Sequence, residues 1–119
     1  MAQALKNLGS YAGTLTTGIS IYKVPASTST TVSSLVICNN SGASATFRVW
    51  WAASGSAAGT TGITAPAATT GSYLYFDVQI DANSTFIATI GITMATLDTL
   101  VVSSSTTSMS FNLYGVEVS

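Results

Sequence analysis

Histidine is absent from this chain, and charged side chains are scarce. Three basic and four acidic residues, 6% of the total, occur among 119 residues, whereas an ordinary soluble domain is about a quarter charged. Acid–base and nucleophilic catalysis depend on titratable side chains, so we expect the chain not to be an enzyme. A net charge near zero promotes association between copies, so the value of −1 favours a protein that assembles.

Metal ligands are equally few. With no histidine and the single Cys38, the chain can form neither an internal disulfide framework nor a multi-cysteine zinc site. A calcium site at Asp77 and Asp81 is an alternative, but calcium takes about six to eight oxygen ligands and only Asn83 lies close in sequence. We therefore predict no metal and no cofactor.

The same scarcities restrict the partners. Three basic residues are too few for the cationic stripe that nucleic-acid binding requires. The first residues show no basic start followed by an apolar run, so we expect no signal peptide. The long uncharged stretches are interrupted by Ser, Thr, Gly and Asn, which predicts no membrane helix.

Hydroxyl side chains replace charge: the chain has 18 Ser and 19 Thr beside 47% hydrophobic residues. Thr suits pleated sheet and Ser suits turns. Alternation of apolar and polar residues predicts strands at residues 19–24, 31–39, 46–53, 72–80, 85–90, 99–103 and 109–118. This pattern indicates an all-β chain forming an antiparallel β-sandwich. A jelly roll is favoured, and an immunoglobulin-like sandwich is the alternative.

The length fits one domain. Residues 1–17 are predicted to form an extended N-terminal arm, and residues 18–119 a single β-sandwich domain. Residues 54–71, which carry no charge and no aromatic ring, are predicted to form a long loop. The apolar phase of the strands predicts a core of Ile19, Ile21, Val36, Phe47, Val49, Trp51, Leu74, Phe76, Val78, Ile80, Phe111 and Leu113.

Adjacent tryptophans give the clearest candidate for a binding surface. Neighbours on a strand point to opposite faces, so Trp51 is predicted to join the core while Trp50 faces outward. Trp, Tyr and Arg are enriched at the centres of protein interfaces. The candidate interface residues are Arg48, Trp50, Tyr73, Tyr75, Leu5 and Tyr11. A merely half-exposed sheet surface and a platform for stacking sugars are the alternatives.

Five segments of the chain resemble the small virion proteins of tailed bacteriophages, namely capsid decoration or cement proteins and related tail modules. They are YKVPA at 22–26, SLVICNNSG at 34–42, ATFRV at 45–49, IDANST at 80–85 and SFNLYGVEV at 110–118. The resemblance implies a β-sandwich that binds an assembled particle, often as a trimer, without a catalytic role.

Composition and resemblance together predict a capsid decoration or cement protein on the surface of the virion. Its expected partners are the major capsid protein and further copies of itself, as a homo-oligomer that the resemblance implies to be a trimer. Neither nucleic acid nor a membrane is expected as a partner. The alternative function is a tail-fibre or receptor-recognition module that contacts surface glycans.

Overall fold

The computed structural model of the chain describes residues 3–13, 19–52, 73–106 and 108–119. The described residues form eight strands and no helix. The strands are β1 (Gln3–Gly13), β2 (Ile19–Lys23), β3 (Ser29–Asn39), β4 (Ala45–Ala52), β5 (Tyr73–Ile80), β6 (Thr85–Met94), β7 (Thr99–Ser104) and β8 (Met109–Val118).

The strands form two four-stranded antiparallel sheets. Sheet 1 has the order β1-β8-β3-β6, and sheet 2 has the order β2-β7-β4-β5. Four of the pairs, β1 with β8, β2 with β7, β3 with β6 and β4 with β5, are those of one long hairpin folded back on itself. Pairing of β3 with β8 and of β4 with β7 rolls this hairpin into a sandwich. The result is a jelly roll, which confirms the predicted antiparallel β-sandwich.

The N-terminal segment differs from its prediction. Residues 3–13, assigned from the sequence to an arm outside the sandwich, form β1 and pair with β8 from Gln3↔Val118 to Gly13↔Met109. Gly9 and Gly13 suggested an interrupted segment, but Gly9 lies where the backbone of β1 approaches Ile21 too closely for a Cβ atom. The whole of the predicted loop 54–71 lies outside the described residues.

The core lies between the two sheets. Of the predicted core residues, six are buried, and Val78 packs against them while partly buried. The buried six are Ile21, Phe47, Val49, Ile80, Phe111 and Leu113. The side chain of Ile19 lies outside the described part of the chain. The larger cluster also contains residues that the alternation did not select, among them Tyr22, Leu35, Ile37, Leu100 and Met109.

Four residues that were predicted to join the core lie outside it. Val36 lies between the buried Leu35 and Ile37, so it points to the outer side of sheet 1. Trp51 keeps the phase of Val49 but is 38% exposed, one residue from the end of β4. Leu74 and Phe76 are 38% and 55% exposed because β5 breaks its alternation.

The side chain of Asn39 joins two connecting segments at one end of the sandwich. Its side chain is fully buried, and its Nδ2 donates to the carbonyl oxygens of Ala43, Ile80 and Asp81 at 2.9, 3.1 and 3.2 Å. Its Oδ1 accepts from the backbone N and the hydroxyl of Ser41, at 3.0 and 2.7 Å. One amide thereby joins the loop after β3 to the turn after β5.

A second polar contact links the two sheets. The buried hydroxyl of Tyr22 in β2 donates to Glu117 Oε2 of β8 at 2.6 Å and lies 2.7 Å from Thr30 Oγ1 of β3. Burial and the bond to Glu117 raise the pKa of Tyr22 far above its usual range. The phenol is therefore held neutral and in one orientation.

Candidate functional site

The outer side of sheet 2 carries the polar and aromatic side chains that the core leaves out. β4 and β7 pair without a register shift from Phe47↔Ser104 to Ala52↔Thr99, so side chains of β4 alternate between the two faces. Phe47 and Val49 point into the core cluster. Arg48 and Trp50 therefore point to the outer face, as the sequence predicted.

A bulge in β5 brings further side chains to the same face. Phe47 pairs with Val78 and Val49 pairs with Tyr75, so two residues of β5, Phe76 and Asp77, stand opposite the single Arg48. Asp77 has φ of 51°, a left-handed conformation that Asp tolerates better than most residues. The extra residue turns Phe76 and Asp77 outward together.

Arg48 and Asp77 form a bidentate ion pair on this face. Arg48 Nε donates to Asp77 Oδ1 at 2.6 Å and Nη2 donates to Oδ2 at 3.1 Å, and the side chains are 39% and 46% exposed. The hydrogen bond raises the pKa of Arg48 and lowers that of Asp77. The guanidinium carbon also lies 4.2 Å from the ring centroid of Phe76, so the pair is held in one position.

An aromatic row continues from this pair. The ring of Tyr73 lies edge-on to both Phe76 and Trp50, with centroid separations of 4.8 and 5.7 Å. Trp50 is only 5% exposed although it stands outside the core cluster. Its buried Nε1 has no hydrogen-bond partner in the described structure. The three rings therefore form a row along the outer face, from the buried Trp50 to the exposed Phe76.

A cavity of about 330 Å³ opens beside the ion pair. Hydroxyl groups supply much of its wall. It is lined by Thr46, Phe47, Arg48, Asp77, Ser103, Ser104 and Ser105. We call it the Arg48 cavity. Its serines come from the end of β7 and the turn that follows, next to β4 in sheet 2.

The predicted interface residues do not all meet. Arg48, Trp50 and Tyr73 lie together on the outer face of sheet 2. Tyr75 does not, because the bulge turns it inward, where its ring lies 6.0 Å from Phe47 and 5.7 Å from Phe86. The predicted outward orientation of Tyr75 is therefore wrong. Leu5, in β1 of sheet 1, is 84% exposed. Tyr11 belongs to β1, but its side chain lies outside the described residues.

Phe76, Asp77 and the three serines were missing from the predicted interface. A strict period of two placed Phe76 in the core, and a one-residue slip reverses every side chain beyond it. The sequence does contain one relevant signal. Asp77 is an acidic residue in one predicted strand, and Arg48, the basic residue nearest to it in sequence, lies in another. Without the register, that signal does not identify the pair.

The outer side of sheet 1 is a second candidate surface, and we call it the hydroxyl face. Exposure alternates along β3, β6 and β8, which shows which of their side chains point outward. These outward side chains are uncharged. They include Thr31, Ser34, Val36 and Cys38 on β3, Thr85, Ile87, Thr89 and Thr93 on β6, and Ser110, Asn112, Tyr114 and Val116 on β8. Ile87 is 67% and Tyr114 40% exposed.

Metal-ligand clusters and membrane-length helices are both absent from the described residues. No group of three His, Cys, Asp or Glu side chains within them is placed to hold a metal ion. None of the described chain forms a helix long and apolar enough to cross a membrane.

Comparison with known proteins identifies a similar fold. No protein-family model and no curated protein matches the chain. A chain from the structure of infectious bursal disease virus, Gx strain, aligns with 98% of this chain at a TM-score of 0.52 and 14% identity. A chain from the Gt strain aligns with 97% at a TM-score of 0.46 and 8% identity. The present chain spans 30% and 31% of their lengths. The Gx strain match shows a shared fold.

Proposed function

We propose that this chain is a non-catalytic structural protein of a virus particle. Its jelly-roll strand order supports this role, because capsid domains are among the proteins that use the jelly roll. The fold shared with a chain of infectious bursal disease virus supports it further. The sequence resemblance narrows the proposal to a decoration or cement protein that binds the assembled head of a tailed bacteriophage.

The hydroxyl face carries the proposal. Burying ions against a partner is expensive, whereas hydroxyl and apolar groups are removed from water at a smaller cost. The centres of protein interfaces are accordingly depleted of charge. The outward residues of β3, β6 and β8 meet this requirement, and Ile87 and Tyr114 supply exposed apolar area. This face is suited to packing against the major capsid protein or against further copies of the chain.

The remaining partners follow from charge. Arg48, one of three basic residues, is already paired with Asp77, so little positive charge remains for a phosphate backbone. We propose a homo-oligomer, a trimer by the resemblance, at the capsid surface, with no nucleic acid or membrane as a partner. Without histidine, and with Asp77 held by Arg48, the chain offers little acid–base chemistry, and we propose that it is not an enzyme.

The test is to add the purified chain to particles that lack it, in low and in molar salt. Binding should survive molar salt, because the outward residues of β3, β6 and β8 carry no charge and gain little from Coulomb attraction. Ile87→Asp places a charge on the hydroxyl face and should weaken binding about tenfold or more. Leu97→Asp is the matched control, because Leu97 is an exposed apolar residue of the β6–β7 turn, away from that face.

Two results would contradict the proposal. One is release of the wild-type chain by salt. The other is binding of Ile87→Asp as tight as that of Leu97→Asp and of the wild type.

A further inference from the structure

The Arg48 cavity has the size of a small-ligand site. Its volume of about 330 Å³ falls at the lower end of the range of about 300–1,000 Å³ found for such sites. Most ligand sites are lined mainly by apolar side chains, but Phe47 is the one apolar residue among the described residues that line this cavity, beside Thr46, three serines and an ion pair. Its ligand must therefore be small and rich in hydrogen-bonding groups.

Charge narrows the class of ligand. Among the described residues that line the cavity, Arg48 and Asp77 are the charged ones, and they neutralise each other through two hydrogen bonds. An anion would have to displace the Asp77 carboxylate, and a cation would have to displace the Arg48 guanidinium. A neutral ligand needs neither displacement, and can use the groups that the ion pair leaves free.

Those free groups are both donors and acceptors. Each oxygen of the Asp77 carboxylate accepts one hydrogen bond from Arg48 and keeps a further lone pair. Ser105 Oγ accepts from Thr46 N at 2.9 Å and keeps its own proton to donate. The Ser103 hydroxyl makes no hydrogen bond to the described residues, although Ser103 is only 8% exposed. Alternating donors and acceptors in one cavity match adjacent hydroxyl groups on a ring.

An apolar surface lies beside these polar groups. Phe76 is 55% exposed, and its ring is held by the Arg48 guanidinium at 4.2 Å and by the Tyr73 ring at 4.8 Å. A sugar ring has this combination of properties, since its hydroxyl groups point outward while its C–H groups form an apolar face. Because the ion pair and the ring are already fixed, binding would order few side chains.

We propose that the Arg48 cavity binds a neutral sugar residue, and that the hydroxyl groups of the sugar bond to the Asp77 carboxylate and to the hydroxyl groups of Ser103 and Ser105. Phe76 then contacts the C–H face of the sugar at the rim. The site lies on sheet 2, and the hydroxyl face lies on sheet 1, so sugar binding does not depend on the proposed packing within a virion. A chain attached to a particle by one face could hold a glycan on the other.

The experiment is a titration of the full chain, labelled with ¹⁵N, with the methyl glycosides of glucose, galactose, mannose and N-acetylglucosamine, and separately with sialic acid. At least one neutral sugar should cause saturable shifts at the amides of Thr46, Arg48 and Ser103, with a dissociation constant in the millimolar range that single small ligands reach. Absence of saturable shifts with every neutral sugar, or a preference for sialic acid, would overturn the proposal.

Variants locate the binding. Asp77→Asn removes the carboxylate, and because Asn also tolerates a positive φ, the fold should remain. We expect about tenfold weaker neutral-sugar binding. Ser103→Ala should also weaken binding, and Asp81→Asn, the same exchange on an exposed turn, should not. Equal affinity of Asp77→Asn, Ser103→Ala and wild type would refute the site. Particle binding should be unchanged in Asp77→Asn, so failure of this proposal is distinguishable from failure of the structural role.

Discussion

Replacing Asn39 with aspartate changes a single buried atom and tests what holds one end of the jelly roll together. The Nδ2 atom lies within 3.2 Å of three carbonyl oxygens, those of Ala43, Ile80 and Asp81. In Asn39→Asp an oxygen takes the place of that nitrogen and faces the same three oxygens with no hydrogen to donate. The acceptor side of the amide, which receives Ser41, is preserved.

The introduced carboxyl group has two states in the folded chain, and both are costly. If it stays ionised, it leaves buried carbonyl groups without a donor, at about 1–3 kcal/mol each. If it takes up a proton at pH 7, the cost is about 4 kcal/mol, because its pKa in the unfolded chain is about 3.9. We therefore expect a loss of about 3–5 kcal/mol at pH 7, which lowers Tm by roughly 10–20 °C.

The pH dependence gives the variant a distinctive signature. The folded state raises the pKa of the introduced carboxyl above its unfolded value, so stability relative to wild type is recovered as the pH falls toward and below about 4. Urea unfolding at neutral and acidic pH measures this, with Asn40→Asp at the neighbouring exposed position as the control. A loss below about 1 kcal/mol at pH 7, or the same loss at both pH values, would refute the role assigned to Asn39.

Three further predictions concern the core and the contacts between strands. Phe111→Ala should cost about 3–5 kcal/mol in urea unfolding and Phe76→Ala about 1 kcal/mol or less, since Phe111 is fully buried and Phe76 is 55% exposed; equal costs would show that the phase of β5 is wrong. Tyr22→Phe should cost about 1.5–3 kcal/mol of stability. It should also flatten the fall in stability above pH 10, because the raised pKa of Tyr22 stabilises the fold below the unfolded-state pKa of about 10 and this stabilisation is lost as the pH rises beyond it. An unchanged alkaline slope would count against the bond to Glu117. Gly115→Ala should lower stability by about 1–3 kcal/mol, because a Cβ atom there would collide with the backbone of β3; calorimetry showing an unchanged Tm would contradict that close approach.

The fold class could be predicted because several strands keep a period of two over most of their length. In β8 the buried Met109, Phe111 and Leu113 alternate with less buried neighbours, and this is the pattern that the sequence shows. Pairing order could not be read in the same way, because it depends on which edges meet once the hairpin is rolled. That step is visible only in the register of β3 with β8 and of β4 with β7.

Some of the errors occur where the backbone leaves the regular pleat. The bulge at Asp77 reverses the phase of β5, so Tyr75 turns in and Phe76 turns out. Gly91, with φ of 58°, lies at a comparable irregularity in β6, which continues to Met94 and not merely to residue 90 as predicted. Neither bulge interrupts the composition of its strand, so period counting cannot detect it.

The candidate sites were only partly predictable for the same reason. Arg48 and Trp50 were placed on the outer face correctly, because β4 runs beside β7 without a shift. Trp50 was expected to be exposed, and its burial at 5% exposure was not foreseen. The Arg48 cavity combines β4, β5 and the end of β7, and residues so far apart in sequence meet only through the topology of sheet 2.

An image reconstruction of the intact particle of the virus that encodes the chain tests whether the chain is a structural part of that particle. We expect density for the jelly roll at symmetry-equivalent positions over the head, with the hydroxyl face, including Ile87 and Tyr114, against a neighbouring subunit. A reconstruction of the complete particle with no density for the chain, or with the hydroxyl face open to solvent at every copy, would contradict it.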